Sequence, residues 1–358
     1  MAIAVSVFHK SIPLKFICLC MLMLGRFLTL IFSVVVTTAF SQDLVKNFEI
    51  VLPKTKVPNS LYNAIAFMDS RAGAKEIGIV DVGLLRNVEA TLVLKNPFQQ
   101  LQAVMGALTD SSAKKGELLL RLGRFRFAET YGTRYCYFEA GLYAKTGDSY
   151  GEIASIDTVL VFRTASVNSM IQAESNIIVG FIATNLLRVP AGADLYNLES
   201  IARIDSIEMH KIPVFNTETY VDGLYTSFKS FASQLPDQKP IVDANRDGTI
   251  ETVRVLDSNG KKIKIRSKEV YAVVYNGLPY IATQYGYYIL RKSADNNFYF
   301  TGDIKTVASQ ADVSGGQLAL GLLGAALASA GNRETYVLMV DYRNGSFIHI
   351  KKIPKPVE

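Results

Sequence analysis

The sequence predicts an α+β protein: an N-terminal mixed α/β layered domain, then a C-terminal antiparallel β-meander (curled sheet or small barrel) with an inserted Gly/Ala-rich helix. Three observations predict it. Hydrophobic residues make up 49% of the 358 residues and charged ones 20%, which excludes the disordered, collagen-like and disulfide-scaffold classes. Between residues 48 and 190, short β-branched runs alternate with stretches of helical period. From Asp243 onward the period falls to two, and Asx-Gly pairs punctuate the runs.

The first element is a leader. Residues 17–40 are apolar apart from Arg26, and small residues, Ala39 and Ser41, stand three and one before the Ser41/Gln42 bond, as a signal peptidase requires. Residues 1–41 are therefore expected to be a signal peptide and the protein to be exported, periplasmic or envelope-associated. A retained N-terminal anchor is the alternative. Leu19 before Cys20 argues against a lipoprotein signal. Without Lys10, Lys15 and Arg26 of the leader, the formal charge falls from +6 to +3.

Residues 42–190 form the expected α/β domain. Strands are expected at 48–52, 77–82 and 90–94. Asn96-Pro97 opens a helix with Phe98, Leu101, Val104, Met105 and Leu108 at helical spacing. In the long strand at 117–129, Leu118, Leu120 and Leu122 share one parity while Phe125 and Phe127 take the other, so a β-bulge is expected at Gly123. Strands at 135–144 and 158–163 follow. Thr164 or Ser166 caps a helix carrying Val167, Met170, Ile171, Ile177, Ile178 and Phe181.

Residues 191–240 read as a connector with short helices at 198–203 and 227–234, closed by Pro236 and Pro240. Residues 241–358 form the antiparallel domain. Its strands are expected at 249–256, 261–266, 270–275, 280–284, 287–291, 298–301, 336–341 and 346–351. Asp247-Gly248, Asn259-Gly260, Asn276-Gly277 and Asn344-Gly345 supply the turns. A hydrophobic insert at 314–331 carries the run 318–330, in which Gly321, Gly324, Ala325 and Ala328 form small-residue pairs at four-residue spacing. At this length it is too short to span a membrane alone. Two readings stand: a helix packed on the sheet, or a surface that contacts a membrane or partner.

Cofactor chemistry finds little purchase. The mature chain keeps one cysteine, Cys136, and two histidines, His210 and His349, without metal-ligand spacing. No G-x-S-x-G elbow, P-loop or dinucleotide fingerprint occurs. Asp243, Asn245 and Asp247, before Gly248, match the first half of a calcium loop, but the twelfth position is Arg254, a cation where a bidentate carboxylate belongs. The expectation is no cofactor, with a weak calcium loop as the alternative to a plain hairpin turn. Lys261, Lys262, Lys264, Arg266 and Lys268 alternate with Ile263 and Ile265, a solvated strand face rather than a nucleic-acid stripe. No nucleic-acid partner is expected.

Tyrosines crowd residues 275–288, while Trp is absent from the whole chain. Tyr280, Tyr285, Tyr287 and Tyr288 offer flat apolar area with hydroxyl handles and are the expected ligand-binding set. The bland alternative is cross-strand aromatic pairing.

Asp222-Gly223-Leu224-Tyr225, Phe228 and Phe231, ending at Pro236, resemble the dGxYxsFxxFxxxxP segment of uncharacterised exported proteins of Bacteroidota. The strands around Val270, Tyr280 and Phe298, and 336–341 with the Asn344-Gly345 turn, are similar to the sequel in those proteins. The resemblance covers about residues 213–351 and implies export but no known activity. The N-terminal part is similar in topology to small α/β envelope-associated domains such as transporter auxiliary proteins, an analogy that carries no function. The combined expectation is an exported, non-enzymatic envelope protein acting in binding or assembly, with an envelope protein, glycan or peptide as partner. A structural subunit docking through residues 318–330 and a hydrolase with an unrecognised site are the alternatives.

Overall fold

A computed structural model describes residues 44–71, 75–82, 88–130, 132–163, 165–192, 194–303 and 335–353. The expected leader, residues 1–41, and the run 318–330, with Gly321, Gly324, Ala325 and Ala328, lie outside the described residues. From Val45 onward the chain forms one compact unit.

The first half is a mixed eight-stranded sheet. It comprises β1 (Leu44–Phe48), β2 (Tyr62–Asp69), β3 (Glu76–Val82), β4 (Val88–Leu94), β5 (Gly116–Thr130), β6 (Thr133–Thr146), β7 (Ser149–Phe162) and β8 (Leu195–Tyr196). The spatial order is β1-β4-β3-β5-β6-β7-β8, and β2 lies parallel to β5. Two helices, α1 (Pro97–Leu108) and α2 (Val167–Asn185), cover one face. Pro97 at the first turn of α1 removes one of the backbone donors that a helix start leaves without an intrahelical acceptor, and Ser166 Oγ accepts from the Ser169 N–H to cap α2.

The bulge expected at Gly123 is present: the β5–β6 register shifts between Leu122 and Arg124. The shift returns Phe125 and Phe127 to the face of Leu118, Leu120 and Leu122, and all five enter one core. The strand expected at 48–52 instead ends at Phe48. Beyond it the Ile50 N–H is taken by Gln100 Oε1 at 2.6 Å and the Val51 N–H by Ser175 Oγ at 2.6 Å, so helix side chains replace a strand partner. Strand β7 begins at Ser149, well before the expected 158, and β2 was not anticipated.

The connector supplies short helices α3 (Leu198–Ala202), α4 (Ile204–Met209), α5 (Pro213–Asn216) and α6 (Phe228–Ala232), and between α5 and α6 an edge strand, β9 (Gly223–Tyr225). The C-terminal part is antiparallel, as expected, but divides into separate sheets, none closed among the described residues. One contains β10 (Ile241–Ala244), β11 (Ile250–Leu256) and β12 (Lys262–Lys264). A second runs β15-β14-β13-β9, where β13 is Ala272–Tyr275, β14 Leu278–Thr283 and β15 Gly286–Ile289. The third runs β16-β17-β18-β19, where β16 is Arg291–Lys292, β17 Phe298–Asp303, β18 Thr335–Val340 and β19 Phe347–Ile353. The single strand expected at 287–291 is thus two, parted at Leu290. All of β12 is solvent-exposed, which places the basic run on a solvated edge.

Tyr225, Phe231, Tyr271, Phe298, Phe300 and Phe347 form the aromatic core of this half. Sheet β10–β12 packs on the other face of β13–β14 through Val253, Val255, Val273 and Tyr280. Among the described residues no helix is long and apolar enough to cross a membrane.

Candidate functional site

Strand pairing decides which tyrosines meet. In the β14–β15 ladder Tyr280 lies opposite Ile289, Ala282 opposite Tyr287, and Ile281 opposite Tyr288. Tyr280, Tyr287 and Ile289 therefore share the face turned to β11, while Tyr288 belongs to the reverse face. There the Tyr288 ring packs on Phe300, centroids 6.1 Å apart, and closes over Gly302, where any Cβ would collide with it. After Leu290 the chain enters β16 and pairs with β17, Arg291 opposite Tyr299.

The result is a cleft of about 510 Å³ bounded by Thr249, Tyr280, Tyr287, Tyr288, Ile289, Arg291, Tyr299, Phe300 and Thr301. Its hydroxyls differ in state. Tyr280 donates to the Gly248 carbonyl at 3.1 Å and pins the β10–β11 turn to the rim. Tyr299 donates to Asp295 Oδ2 at 2.7 Å. The Tyr287 hydroxyl is buried and has no hydrogen-bond partner among the described residues. Burial pushes the Tyr287 phenol up to about 12 and raises Tyr299 further, with Asp295 adding to the effect. All three stay neutral donors at physiological pH. Arg291 is exposed at the mouth with no acidic partner among the described residues.

Of the expected binding set, Tyr280, Tyr287 and Tyr288 bound this cleft. Tyr285 does not: it sits in the β14–β15 turn, its N–H on Thr283 Oγ1 at 3.1 Å. Sequence reading missed Thr249, Arg291 and Tyr299, because the pairing of β16 with β17 is not written in either strand alone.

The calcium-like segment is a β-hairpin. Asp243 lies in β10 and its carboxylate pairs with Arg254 at 2.6 Å, the very residue that occupies the twelfth position. Asn245 N–H donates to the Thr249 carbonyl, and Asp247 Oδ1 accepts from the Thr249 N–H at 3.0 Å, which holds its carboxyl below the usual range. Among the described residues no group of three His, Cys, Asp or Glu side chains could hold a metal ion.

Other chemistry-bearing residues serve packing. Cys136 is buried in β6 and burial raises its thiol. His349 Nδ1 lies 3.0 Å from the Tyr137 hydroxyl, and its ring stacks on Tyr135. A smaller cavity of about 120 Å³ is lined by Arg121, Glu139, Asp157, Glu208 and Arg343 among others. Four of its charges are cross-paired: Arg121 reaches Glu139 at 3.0 Å and also Asp205, while Arg343 reaches Glu139 at 3.1 Å and Asp205 at 2.7 Å, and Asp157 pairs with Arg124 at 2.8 Å. A third cleft, beside β1 and α1, has its central amide engaged, because Gln100 bonds Phe48, Ile50 and Lys95 backbone groups.

The chain matches no protein-family model and no curated protein. It shows a faint likeness to the crystal structure of protein XCC0632 from Xanthomonas campestris, assigned to DUF330, with 10% identity and TM-score 0.27 over 40% of this chain and 93% of that one. A second uncharacterised protein aligns at 12% identity and TM-score 0.22 over 37% of this chain and 97% of that one. Likenesses this faint carry no argument about the fold or the site.

Proposed function

We propose that this chain is an exported, non-enzymatic protein of the bacterial envelope that binds a glycan or peptide ligand in the tyrosine cleft. The observation that carries the reading is Tyr287: the residue lines a cleft large enough for a ligand, while its hydroxyl is buried and has no hydrogen-bond partner among the described residues, a costly arrangement. Tyr280 and Tyr299 present apolar surface beside it, and Arg291 adds at the mouth a cation with no acidic partner among the described residues. This set suits a ligand with an apolar face, a hydrogen-bond acceptor and a negative charge. The leader at 1–41 supports export.

A panel of peptides and glycans is expected to contain a ligand, Tyr287→Ala and Arg291→Ala each to weaken its binding at least about tenfold, and Tyr287→Phe to cost about threefold to tenfold. Binding unchanged in all three variants contradicts it.

A further inference from the structure

Strand β7 is hydrogen-bonded to β6 along its whole length, but its other side meets only β8, at Tyr150 and Gly151. Beyond Gly151 that side is an unpaired edge among the described residues, roughly 35 Å of strand. Natural sheets blunt such edges with Lys, Pro or a bulge. Residues 153–162 contain no Lys and no Pro, and their one charge, Asp157, is drawn back by Arg124 at 2.8 Å. The register shift of β7 falls at Ile153, near the β8 end, and leaves 154–162 regular. Ala154, Ile156, Leu160 and Phe162 face the core under α2 yet stay only partly buried, so the apolar layer is open along this edge.

We propose that the β7 edge is an interface between two copies of this chain, paired antiparallel about a two-fold axis through the sheet at Thr158. An axis normal to the sheet sets each residue opposite one of the same face. Centred on Thr158, it places Ile156 against the partner's Leu160, and Ala154 against the partner's Phe162, a small side chain against a large one. On the other face Asp157 meets the partner's Val159. Centring on Asp157 would set two carboxylates opposite each other, and centring on Val159 would set Leu160 against the partner's Thr158. The edge is therefore self-complementary in one register, which favours a second copy over an unrelated strand. Pairing closes the open apolar layer of both copies at once.

Sedimentation of the purified protein over a concentration series tests this, together with cysteine crosslinking. The expected result is a dimer that Thr158→Cys crosslinks on mild oxidation, because residues directly opposite across strands bring their Cβ atoms to about 4.5–5.5 Å. With Cys18 and Cys20 replaced by serine, Ser149→Cys, far from the axis, stays uncrosslinked, and Cys136 is buried and does not compete. Thr158→Lys, which faces like charges across the axis, and Val161→Lys on the other face each weaken dimerisation at least about tenfold while the circular dichroism spectrum is retained. A monomer at every concentration overturns the proposal. So does a dimer that Thr158→Cys fails to crosslink or that survives both lysine variants.

Discussion

Glu174 lies on the inner stripe of α2 with Met170 and Ile178, buried, and neither carboxyl oxygen has a hydrogen-bond partner of ordinary geometry among the described residues. Burial raises its carboxyl from the usual range to about 7. The folded protein therefore holds this proton more tightly than the unfolded chain. Stability is undiminished below the unfolded value, is lost as pH rises from about 4.5 to about 7, and is constant above, a loss on the order of 3 kcal/mol. Glu174→Met is expected to flatten that fall, so the stability difference between variant and parent grows from pH 4.5 to pH 7 in denaturant titrations. The adjacent Cys136 thiol titrates well above this window. A difference independent of pH contradicts the assignment. Sequence periodicity marks the stripe through its apolar members and passes over the carboxylate standing on it.

Turns and bulges were the most legible elements, because single residues determine them. Gly123 announced the bulge through a parity slip, and the structure adds a reason for glycine: a Cβ there would meet the Arg121 and Glu139 side chains. Asn276 and Gly277 both take positive φ, 52° and 73°, as the two-residue turn between β13 and β14 requires. Gly345, with φ of 75°, combines that backbone demand with a close approach, since a Cβ would enter the ring of Phe228. Gly345→Ala is expected to destabilise by about 2 kcal/mol or more, with Gly260→Ala, in open space, costing about half as much. Equal losses at the two sites would contradict the steric account. Strand ends were less legible. The fate of Ile50 and Val51 is decided by Gln100 and Ser175, remote in sequence, and the split at Leu290 by which sheet each half joins.

At the scale of the molecule, composition and period identified the α+β class and the change of character near Asp243. They could not reveal what joins the halves. Arg121 of β5 and Arg343 between β18 and β19 share Glu139 and Asp205, and the single Tyr342 O–H lies within donating distance of both Asp205 Oδ1, at 2.9 Å, and Glu208 Oε2, at 2.8 Å. Arg126 adds a bond to the His349 carbonyl at 2.7 Å. These partners stand up to 223 residues apart, beyond any local signal. Arg121 is 2% exposed, so Arg121→Leu leaves Glu139 short of a buried counter-charge and is expected to cost about 3–5 kcal/mol. Because Arg343 contacts the same two carboxylates, the double variant with Arg343→Leu is expected to lose less than the two single losses together. Additive losses in chemical denaturation would contradict a shared network.

The tyrosine cleft has the same origin: four strands, β14 to β17, and the β10–β11 turn assemble it, and only its β14–β15 tyrosines are legible in the sequence. Its test is a titration of the tyrosine-labelled protein, followed by NMR, with the best ligand from a peptide and glycan panel. Tyr280, Tyr287 and Tyr299 resonances are expected to shift on binding while Tyr62 and Tyr150 of the large sheet do not, and Tyr287→Ala is expected to abolish the shifts. Shifts confined to the large sheet, or a panel in which nothing binds, would contradict it.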